Sequence, residues 1–144
     1  MILNSEEETR ALGAALARSA RAGDIITLSG PLGAGKTALA RGFIEALGRE
    51  RDVPSPSFAI VQPYDDLDPP VWHVDLYRIE DPSEIEELGL DAAAVAVLLV
   101  EWPERAGTDA WPMGLGLSLE IAPDDERILT AKVPPAWEDR WPPR

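Results

Sequence analysis

The stretch SGPLGAGKTALARG, residues 29–42, constrains the fold of this 144-residue chain more than any other feature. Its residues 30–37 consist of a glycine, four further residues and then Gly-Lys-Thr. The β-branched run DIITLS at 24–29 precedes this loop, and the helix formers of KTALARGFIEALG follow it. The order strand, glycine loop, helix is typical of a phosphate-binding loop, in which backbone N–H groups and a helix N-terminus surround phosphate oxygens. The sequence therefore predicts a nucleotide site here.

The residue types of the loop indicate how each position would act. Glycines allow successive N–H groups to turn inward around phosphate oxygens, and the lysine is expected to reach the β- and γ-phosphates. The threonine hydroxyl is expected to bind Mg²⁺. The residues of the loop that are predicted to bind the nucleotide are Gly33, Ala34, Gly35, Lys36, Thr37 and Ala38.

A Mg²⁺ ion bound with the nucleotide needs an acidic partner from a neighbouring strand, and Glu101 is the candidate. It directly follows VAVLLV at 95–100, which is apolar on both faces, as expected of a central strand covered on both sides. Ligands in open α/β sheets bind at the carboxyl ends of such strands. Glu101 and Thr37 are therefore predicted to hold the metal; the alternative is that Glu101 only marks where the strand reaches water.

Asp75, in HVDLYR, is the second acid of interest, because an unpaired carboxylate within an apolar strand is costly. It is predicted to orient the attacking water or the water shell of the metal, which would make Lys36, Asp75 and Glu101 the catalytic set. A salt bridge to Arg78 is the alternative. His73 alternates onto the same side of the strand and is interpreted as a structural histidine.

The remaining patterns predict an α/β fold of the P-loop NTPase type. Its mixed sheet is expected to have central parallel strands, antiparallel edge hairpins and helices on both faces. Residues 1–133 are expected to form one domain, and the Pro- and Trp-rich tail 134–144 receives no assigned structure. The predicted elements are a helix at 6–22 capped by Ser5, strands at 24–29, 59–64, 71–79, 95–100, 115–121 and 127–133, an exposed loop at 51–58, and a short helix that starts at Pro82 with Asp81 as its N-cap.

Charge and composition exclude several classes of function. The 13 basic and 26 acidic side chains give a net charge of −13, which disfavours direct binding to nucleic acid. The absence of cysteine and the single histidine exclude a disulfide framework and a Cys/His zinc site. The start, MILNSEEETR, lacks the apolar core of a signal peptide, and the longest apolar run, 92–100, is too short to span a membrane. A cytoplasmic protein without membrane contact is expected.

Five motifs occur in an order and spacing that resemble the TsaE (YjeE) family of bacterial ATPases: GPLGAGKTALARG, SPSF, HVDLYRIED, EELGL and VEWPER. The resemblance implies ATP and Mg²⁺ as cofactors. It also implies a role in threonylcarbamoyladenosine formation on tRNA, with TsaB and TsaD as partner proteins that contact the tRNA. The absence of an Asn-Lys-x-Asp motif, which reads guanine in regulatory GTPases, also favours ATP over GTP.

The resemblance also assigns roles to residues. It implies that Gly33, Gly35, Lys36 and Thr37 bind the nucleotide, that Glu101 is the acid on the magnesium side, that Trp102 lies near the nucleotide, that Asp75 is a second functional acid, and that 55–58 form a switch-like segment. Three departures from the family pattern are Ser57 in place of threonine, Ala38 in place of a hydroxyl residue, and an alanine-rich segment at 91–97.

Two other functions remain open from the sequence. A small-molecule kinase uses the same loop and metal site but also needs an acceptor pocket and a lid, for which 59–100 offers only Arg78 as the arginine. A nucleotide-dependent binding module would have the same loop and little hydrolysis. Arg105 could approach the phosphates, although a surface arginine in WPER is the simpler interpretation.

Overall fold

The structure, a computed structural model, describes residues 1–48, 61–90, 94–107 and 110–143. The predicted loop at 51–58, its switch-like segment and residues 91–93 of the alanine-rich segment lie outside these ranges. The strands and α-helices are β1 (Ile2–Leu3), α1 (Glu6–Ser19), β2 (Ile25–Ser29), α2 (Lys36–Ala46), β3 (Val61–Tyr64), β4 (Val71–Asp75), β5 (Val97–Glu101), β6 (Leu115–Ile121) and β7 (Arg127–Lys132). The 3₁₀ helices are Pro82–Leu88, Pro103–Ala106 and Pro135–Trp137.

The strands form one mixed sheet in the order β1-β7-β6-β2-β5-β4-β3. Strands β6, β2, β5 and β4 are parallel to one another, whereas β7 and β1 on one side and β3 on the other pair antiparallel. The predicted fold class is confirmed. Because parallel strands end at the same edge of a sheet, Ser29, Asp75 and Glu101, the last residues of β2, β4 and β5, lie along one edge.

The two faces of the sheet bury separate apolar clusters. In β5, Val97 and Leu99 belong to the cluster that also contains the buried side chains of α1 and α2, whereas Leu98 and Val100 belong to the cluster on the opposite face. The 3₁₀ helix Pro82–Leu88 packs on that opposite face through its apolar side chains. Helices therefore cover both faces of the sheet: α1 and α2 lie on one face, and the 3₁₀ helices Pro82–Leu88 and Pro103–Ala106 lie on the other.

Helices α1 and α2 cross closely because each has a glycine at the crossing. A Cβ atom built on Gly13 would lie 2.1 Å from the carbonyl oxygen of Leu39, and one built on Gly42 would lie 2.1 Å from that of Arg10. Neither position has room for a side chain, because the obstructing atoms belong to the backbone of the other helix. The two glycines thus hold α2 against α1.

Helix α1 starts as predicted, with the Ser5 hydroxyl oxygen accepting a hydrogen bond from the Glu8 N–H at 3.1 Å. It ends at Ser19, so the predicted end at 22 is wrong. The N–H of Arg21 donates to the Asp24 carboxylate at 2.6 Å, and the N–H of Asp24 donates to the Arg21 carbonyl at 3.0 Å. This local turn competes with another turn of helix.

The strand predicted at 71–79 ends at Asp75, so its predicted end is also wrong. The N–H of Tyr77 donates to the Asp75 carboxylate at 2.9 Å, and the N–H of Ile79 donates to the Leu76 carbonyl at 3.0 Å. An aspartate that accepts from the backbone two residues on forms a turn of its own. That turn takes the chain away from the sheet at the site edge.

The other predicted elements are confirmed with small shifts at their ends. The strand predicted at 95–100 is β5 and lies one to two residues later, because Val95 is 70% exposed while Glu101 still pairs in the sheet. The predicted hairpin pairs β3 with β4 at the sheet edge, and residues 59–60 of its first predicted strand lie outside the described ranges. The predicted short helix is of the 3₁₀ type, and Asp81 caps it by accepting from the Ser83 N–H at 3.0 Å.

The C-terminal segment 134–143, which received no structure from the sequence, packs onto the body of the protein. Trp137 is 1% exposed and belongs to the apolar cluster under α1 and α2. Arg140 stacks on it, with 3.7 Å between the guanidinium carbon and the ring centroid, and forms an ion pair with Asp24 at 2.6 Å. The segment therefore anchors the turn that follows α1. Across the described ranges, no helix has the length and apolar content needed to cross a membrane.

Candidate functional site

The loop between β2 and α2 has a backbone that requires glycine. Gly30, Gly33 and Gly35 have φ angles of 142°, 80° and 106°, which L side chains rarely adopt. At Gly30 a Cβ atom would also lie 2.4 Å from the carbonyl oxygen of Leu119. The loop leads directly into the N-terminus of α2 at Lys36, where backbone N–H groups without helical partners and the helix dipole favour an anion.

Lys36 is folded back onto the loop. Its Nζ donates hydrogen bonds to the carbonyl oxygens of Gly30 and, at 3.3 Å, Pro31, and it lies 3.6 Å from the ring centroid of Trp102. The residue is 4% exposed, and this burial lowers the pKa of its ammonium group, while the nearby carboxylate of Glu101 opposes that shift. The Lys36 ammonium group thus lies beside the loop that the sequence predicts to bind phosphate.

Thr37 and Glu101 meet although they are far apart in the sequence. The Thr37 hydroxyl donates to Oε1 of Glu101 at 2.9 Å, which joins the first turn of α2 to the end of β5. Glu101 is 2% exposed. The two residues that the sequence assigns to a metal therefore place a hydroxyl oxygen next to a carboxylate oxygen. Oxygen atoms are the ligands that Mg²⁺ prefers.

Asp75 lies beside Glu101, because the two residues are paired in the register of β4 and β5. It is 7% exposed, and burial raises the pKa of its carboxyl group. The hydrogen bond from the Tyr77 N–H opposes this rise in pKa, whereas the like charge of Glu101 adds to it. The site therefore contains a carboxylate that is a stronger base than an exposed aspartate.

Trp102 closes the site from above Lys36. Its backbone has φ 59° and ψ 49°, a left-handed conformation that is strained for a bulky residue. The N–H of Trp102 donates to the Leu28 carbonyl at 3.2 Å, and its ring centroid lies 5.0 Å from that of Tyr77. The guanidinium of the exposed Arg105 lies 5.8 Å from the centroid of the Tyr77 ring, so Arg105 is at the rim. The unusual backbone at Trp102 aims its ring at the lysine.

These residues line a cleft of about 440 Å³ at the carboxyl edge of the sheet. The structure brings together every residue that the sequence placed in the site. The cleft-lining members of that set are Gly33, Ala34, Gly35, Lys36, Thr37, Ala38, Asp75, Glu101 and Trp102. A second cleft of about 330 Å³ shares the wall formed by Gly33, Ala34, Gly35 and Ala38, and its other side contains Asn4, Ser5, Thr9, Asp125 and Arg127.

Several residues of the two clefts were not predicted from the sequence. Arg41 lines the first cleft one helical turn after Thr37, so the spacing of α2 could have indicated it. Tyr77 enters the cleft through the turn after Asp75, which the sequence interpretation treated as strand. Arg127, which is 94 residues away in the sequence, donates a hydrogen bond of 3.2 Å to the carbonyl oxygen of Gly33. No local pattern in the sequence signals this last contact.

The chain also resembles known proteins over most of its length. A sequence profile of the family described as "Threonylcarbamoyl adenosine biosynthesis protein TsaE" matches residues 3–129. The tRNA threonylcarbamoyladenosine biosynthesis protein TsaE of Bacillus subtilis is 44% identical over 126 residues, which cover 86% of this chain and 78% of that protein. The protein of the same name from Rickettsia felis is 38% identical over 132 residues, which cover 90% of this chain and 77% of that protein.

A solved structure agrees with these sequence relationships. The crystal structure of YdiB from Bacillus subtilis superposes with a TM-score of 0.79 and 36% sequence identity, and the match covers 96% of this chain and 88% of that one. Both the sequence profile and the relatives span the phosphate loop, β4 and β5, which together build the cleft. The chain therefore belongs to the TsaE family, a family of tRNA threonylcarbamoyladenosine biosynthesis.

Proposed function

We propose that this protein is a small Mg²⁺-dependent ATPase that supports threonylcarbamoyladenosine formation on tRNA together with TsaB- and TsaD-type proteins. The observation that carries the proposal is the contact of 2.9 Å between the Thr37 hydroxyl and the Glu101 carboxylate, next to the glycine loop and Lys36. A phosphate cradle with two oxygen ligands for a hard cation is the arrangement of P-loop NTPases. Membership in the TsaE family supports the assignment to the tRNA pathway.

The loop and the first turn of α2 would bind the phosphates of ATP. Backbone N–H groups at the N-terminus of α2 would donate to phosphate oxygens. Lys36 would turn its Nζ from the Gly30 and Pro31 carbonyls to the β- and γ-phosphates, while remaining under the Trp102 ring.

Thr37 and Glu101 suit Mg²⁺ because this ion accepts few protein ligands and completes its shell with water and phosphate oxygens. When bound, Mg²⁺ neutralises charge that develops on the transferred phosphoryl group. The hydrogen bond between Thr37 and Glu101 holds the two ligand oxygens in adjacent positions on α2 and β5. A rigid pair of ligands needs little reorganisation when the ion arrives.

Asp75 is suited to orient the attacking water. It lies next to Glu101 in the sheet register, and its raised pKa makes its carboxylate a better hydrogen-bond acceptor and proton acceptor. The Tyr77 N–H donates to Oδ1 of Asp75 at 2.9 Å, and this hydrogen bond restrains the orientation of the carboxylate. Water rather than a metabolite is therefore the acceptor that we propose for the phosphoryl group.

The second cleft is the proposed place for the ribose and base. It continues from the wall of the phosphate loop at Gly33 and Ala38, and it is lined by side chains with hydrogen-bonding groups, including Ser5, Thr9 and Arg127. Arg127 also donates to the Gly33 carbonyl and so would connect occupancy of this cleft with the shape of the loop.

Partner proteins would supply the contacts to tRNA. The net charge of −13 opposes direct association with an RNA backbone. The resemblance to the family points to TsaB- and TsaD-type proteins as the partners. Such a division would leave this chain to bind and hydrolyse ATP within the complex.

The test is phosphate release from ATP by the purified chain, with and without TsaB and TsaD from the same organism, beside Glu101→Ala. We expect slow turnover alone, stimulation by the two partners, and loss of at least about 100-fold in the variant, which lacks a group that acts in the transition state. Stimulation that persists in Glu101→Ala would contradict the assignment of the site. Transfer of the phosphate to a metabolite instead of water would favour a kinase.

A further inference from the structure

The strand β4 places an imidazole against the carboxylate of Glu101. We infer that His73 is a positioning residue, which orients Glu101 so that its carboxylate faces the metal position beside Thr37. The distance from His73 Nε2 to Glu101 Oε2 is 2.6 Å. This inference rests on the magnesium site of the proposed function, and it gives a role to a histidine that the sequence interpretation treated as structural.

Strand register brings the two side chains together. His73 is paired with Leu99 and Asp75 with Glu101 in the parallel ladder of β4 and β5. His73 and Glu101 point to the same face of the sheet, because Glu101 lies two residues after Leu99, the partner of His73, and alternate residues of a strand share a face. His73 is 0% exposed and Glu101 is 2% exposed, so water does not compete for the contact.

The two oxygens of Glu101 have different partners. Oε1 accepts from the Thr37 hydroxyl at 2.9 Å, and Oε2 lies 2.6 Å from His73 Nε2. An ionised carboxylate only accepts hydrogen bonds, so the inferred role of His73 requires a proton on Nε2, from which Nε2 donates to Oε2. Bonds to both oxygens restrain rotation of the carboxylate, and each oxygen keeps a further lone pair for a metal.

The environment of His73 argues against packing as its main contribution. In the described part of the chain, the other ring nitrogen, Nδ1, is buried and has no hydrogen-bond partner. A buried polar atom without a partner is costly, and an aliphatic side chain would fill the same buried space on this face of β4 without that cost. The contact that offsets this cost is the one to Glu101. Metal ligands in proteins are commonly oriented by such outer partners.

A matched set of substitutions separates positioning from packing. In His73→Gln, the amide nitrogen can occupy the place of Nε2 and still donate to Glu101. In His73→Asn, the amide nitrogen reaches only the place of Nδ1, and in His73→Leu the donor is absent. Each purified variant is titrated with ATP in EDTA and in excess Mg²⁺ by calorimetry, and its melting temperature without nucleotide reports folding.

We expect ATP binding in EDTA to be the same in the wild type and in all folded variants. Mg²⁺ should tighten ATP binding in the wild type and in His73→Gln, whereas in His73→Asn and His73→Leu the half-saturating Mg²⁺ concentration should rise about 10-fold or more. An unchanged Mg²⁺ response in His73→Leu would overturn the inference and leave the magnesium site intact. A wild type without any Mg²⁺ response would instead overturn the proposed site itself.

A second readout needs neither metal nor nucleotide and serves even if the apolar variant does not fold. His73 is the only histidine of the chain, so the imidazole nitrogen and proton signals of untagged protein labelled with ¹⁵N-histidine need no assignment. We expect a protonated Nε2 whose proton exchanges slowly with water and whose signal moves in Glu101→Gln. A proton on Nδ1 and none on Nε2 would overturn the inference, because Nε2 could not then donate to Glu101.

Discussion

Asp75 and Lys36 are both buried in the cleft, and burial shifts the pKa of each group in the direction that favours its neutral form. It raises the pKa of Asp75 and lowers that of Lys36. Neighbouring groups partly reverse both shifts: the Tyr77 N–H stabilises the Asp75 carboxylate, and the Glu101 carboxylate stabilises the Lys36 ammonium. Such groups reduce the stability of the fold, which is expected where side chains are arranged for chemistry.

The raised pKa of Asp75 predicts a pH-dependent effect of Asp75→Asn. Because the folded pKa lies above the ordinary value of 3.8, the folded state binds more protons than the unfolded state between the two values. The free energy of unfolding therefore falls as pH rises through that window. Asp75→Asn should melt above the wild type near neutral pH, and the difference should disappear toward pH 3.8.

The control for this prediction is Asp66→Asn, which removes the same charge from an exposed turn. If Asp75 also orients the attacking water, ATP hydrolysis should fall by about 100-fold or more in Asp75→Asn while its melting temperature rises. Thermal melting at several pH values checks the first effect, and phosphate release checks the second. A variant that melts below the wild type at every pH would contradict this account of Asp75.

At the scale of elements, the crossing of α1 and α2 determines where the phosphate loop lies, because α2 carries Lys36 and Thr37 at its start. The prediction concerns Gly42→Ala, whose new Cβ would meet the Arg10 carbonyl oxygen at 2.1 Å. Helix propensity alone would make this change stabilising by about 1 kcal/mol. Overpacking should instead destabilise the fold by about 1–3 kcal/mol. The sign of the change in the free energy of unfolding therefore shows which of the two effects is larger.

Denaturant unfolding measures that sign, with Gly116→Ala as the control. A Cβ at Gly116 would have its nearest neighbour at 3.5 Å, an ordinary contact distance. We expect the midpoint to fall in Gly42→Ala and to change much less in the control. A Gly42→Ala variant as stable as the wild type would show that the helices can separate without cost.

Elements with local sequence patterns could be predicted from the sequence, whereas contacts between residues far apart in the sequence could not. The phosphate loop, the cap at Ser5 and the buried strand before Glu101 all have short-range patterns, and the structure has them at or near the predicted positions. The end of β4 was predicted wrongly because the turn made by Asp75 competes with an apolar pattern that suits a strand. The contact between His73 and Glu101 depends on strand register, which no local pattern specifies.

At the scale of the whole molecule, the C-terminal segment closes the core that supports the site. Trp137 is 1% exposed in the same apolar cluster as the buried side chains of α1 and α2. Removal of a large buried aromatic side chain costs about 3–5 kcal/mol, so Trp137→Ala should lower the melting temperature by several degrees or more. Calorimetric melting checks this.

The control for Trp137→Ala is Met113→Ala, at a side chain that is 60% exposed and should matter little. An additional variant, Arg140→Met, keeps apolar cover over Trp137 but leaves the largely buried Asp24 carboxylate without its cation, and it should also lower the melting temperature. Equal melting of Trp137→Ala and the wild type would show that the segment does not contribute to the folded core.

The most direct test of the whole account is a titration of ATP into the wild type and into Thr37→Val, each with EDTA and with Mg²⁺. Valine keeps the shape of threonine but lacks the hydroxyl that contacts Glu101 at 2.9 Å. We expect similar ATP affinities in EDTA and a Mg²⁺-dependent gain in affinity in the wild type that falls by about 10-fold or more in Thr37→Val. The same Mg²⁺-dependent gain in both proteins, or no binding of ATP to the wild type, would contradict this expectation.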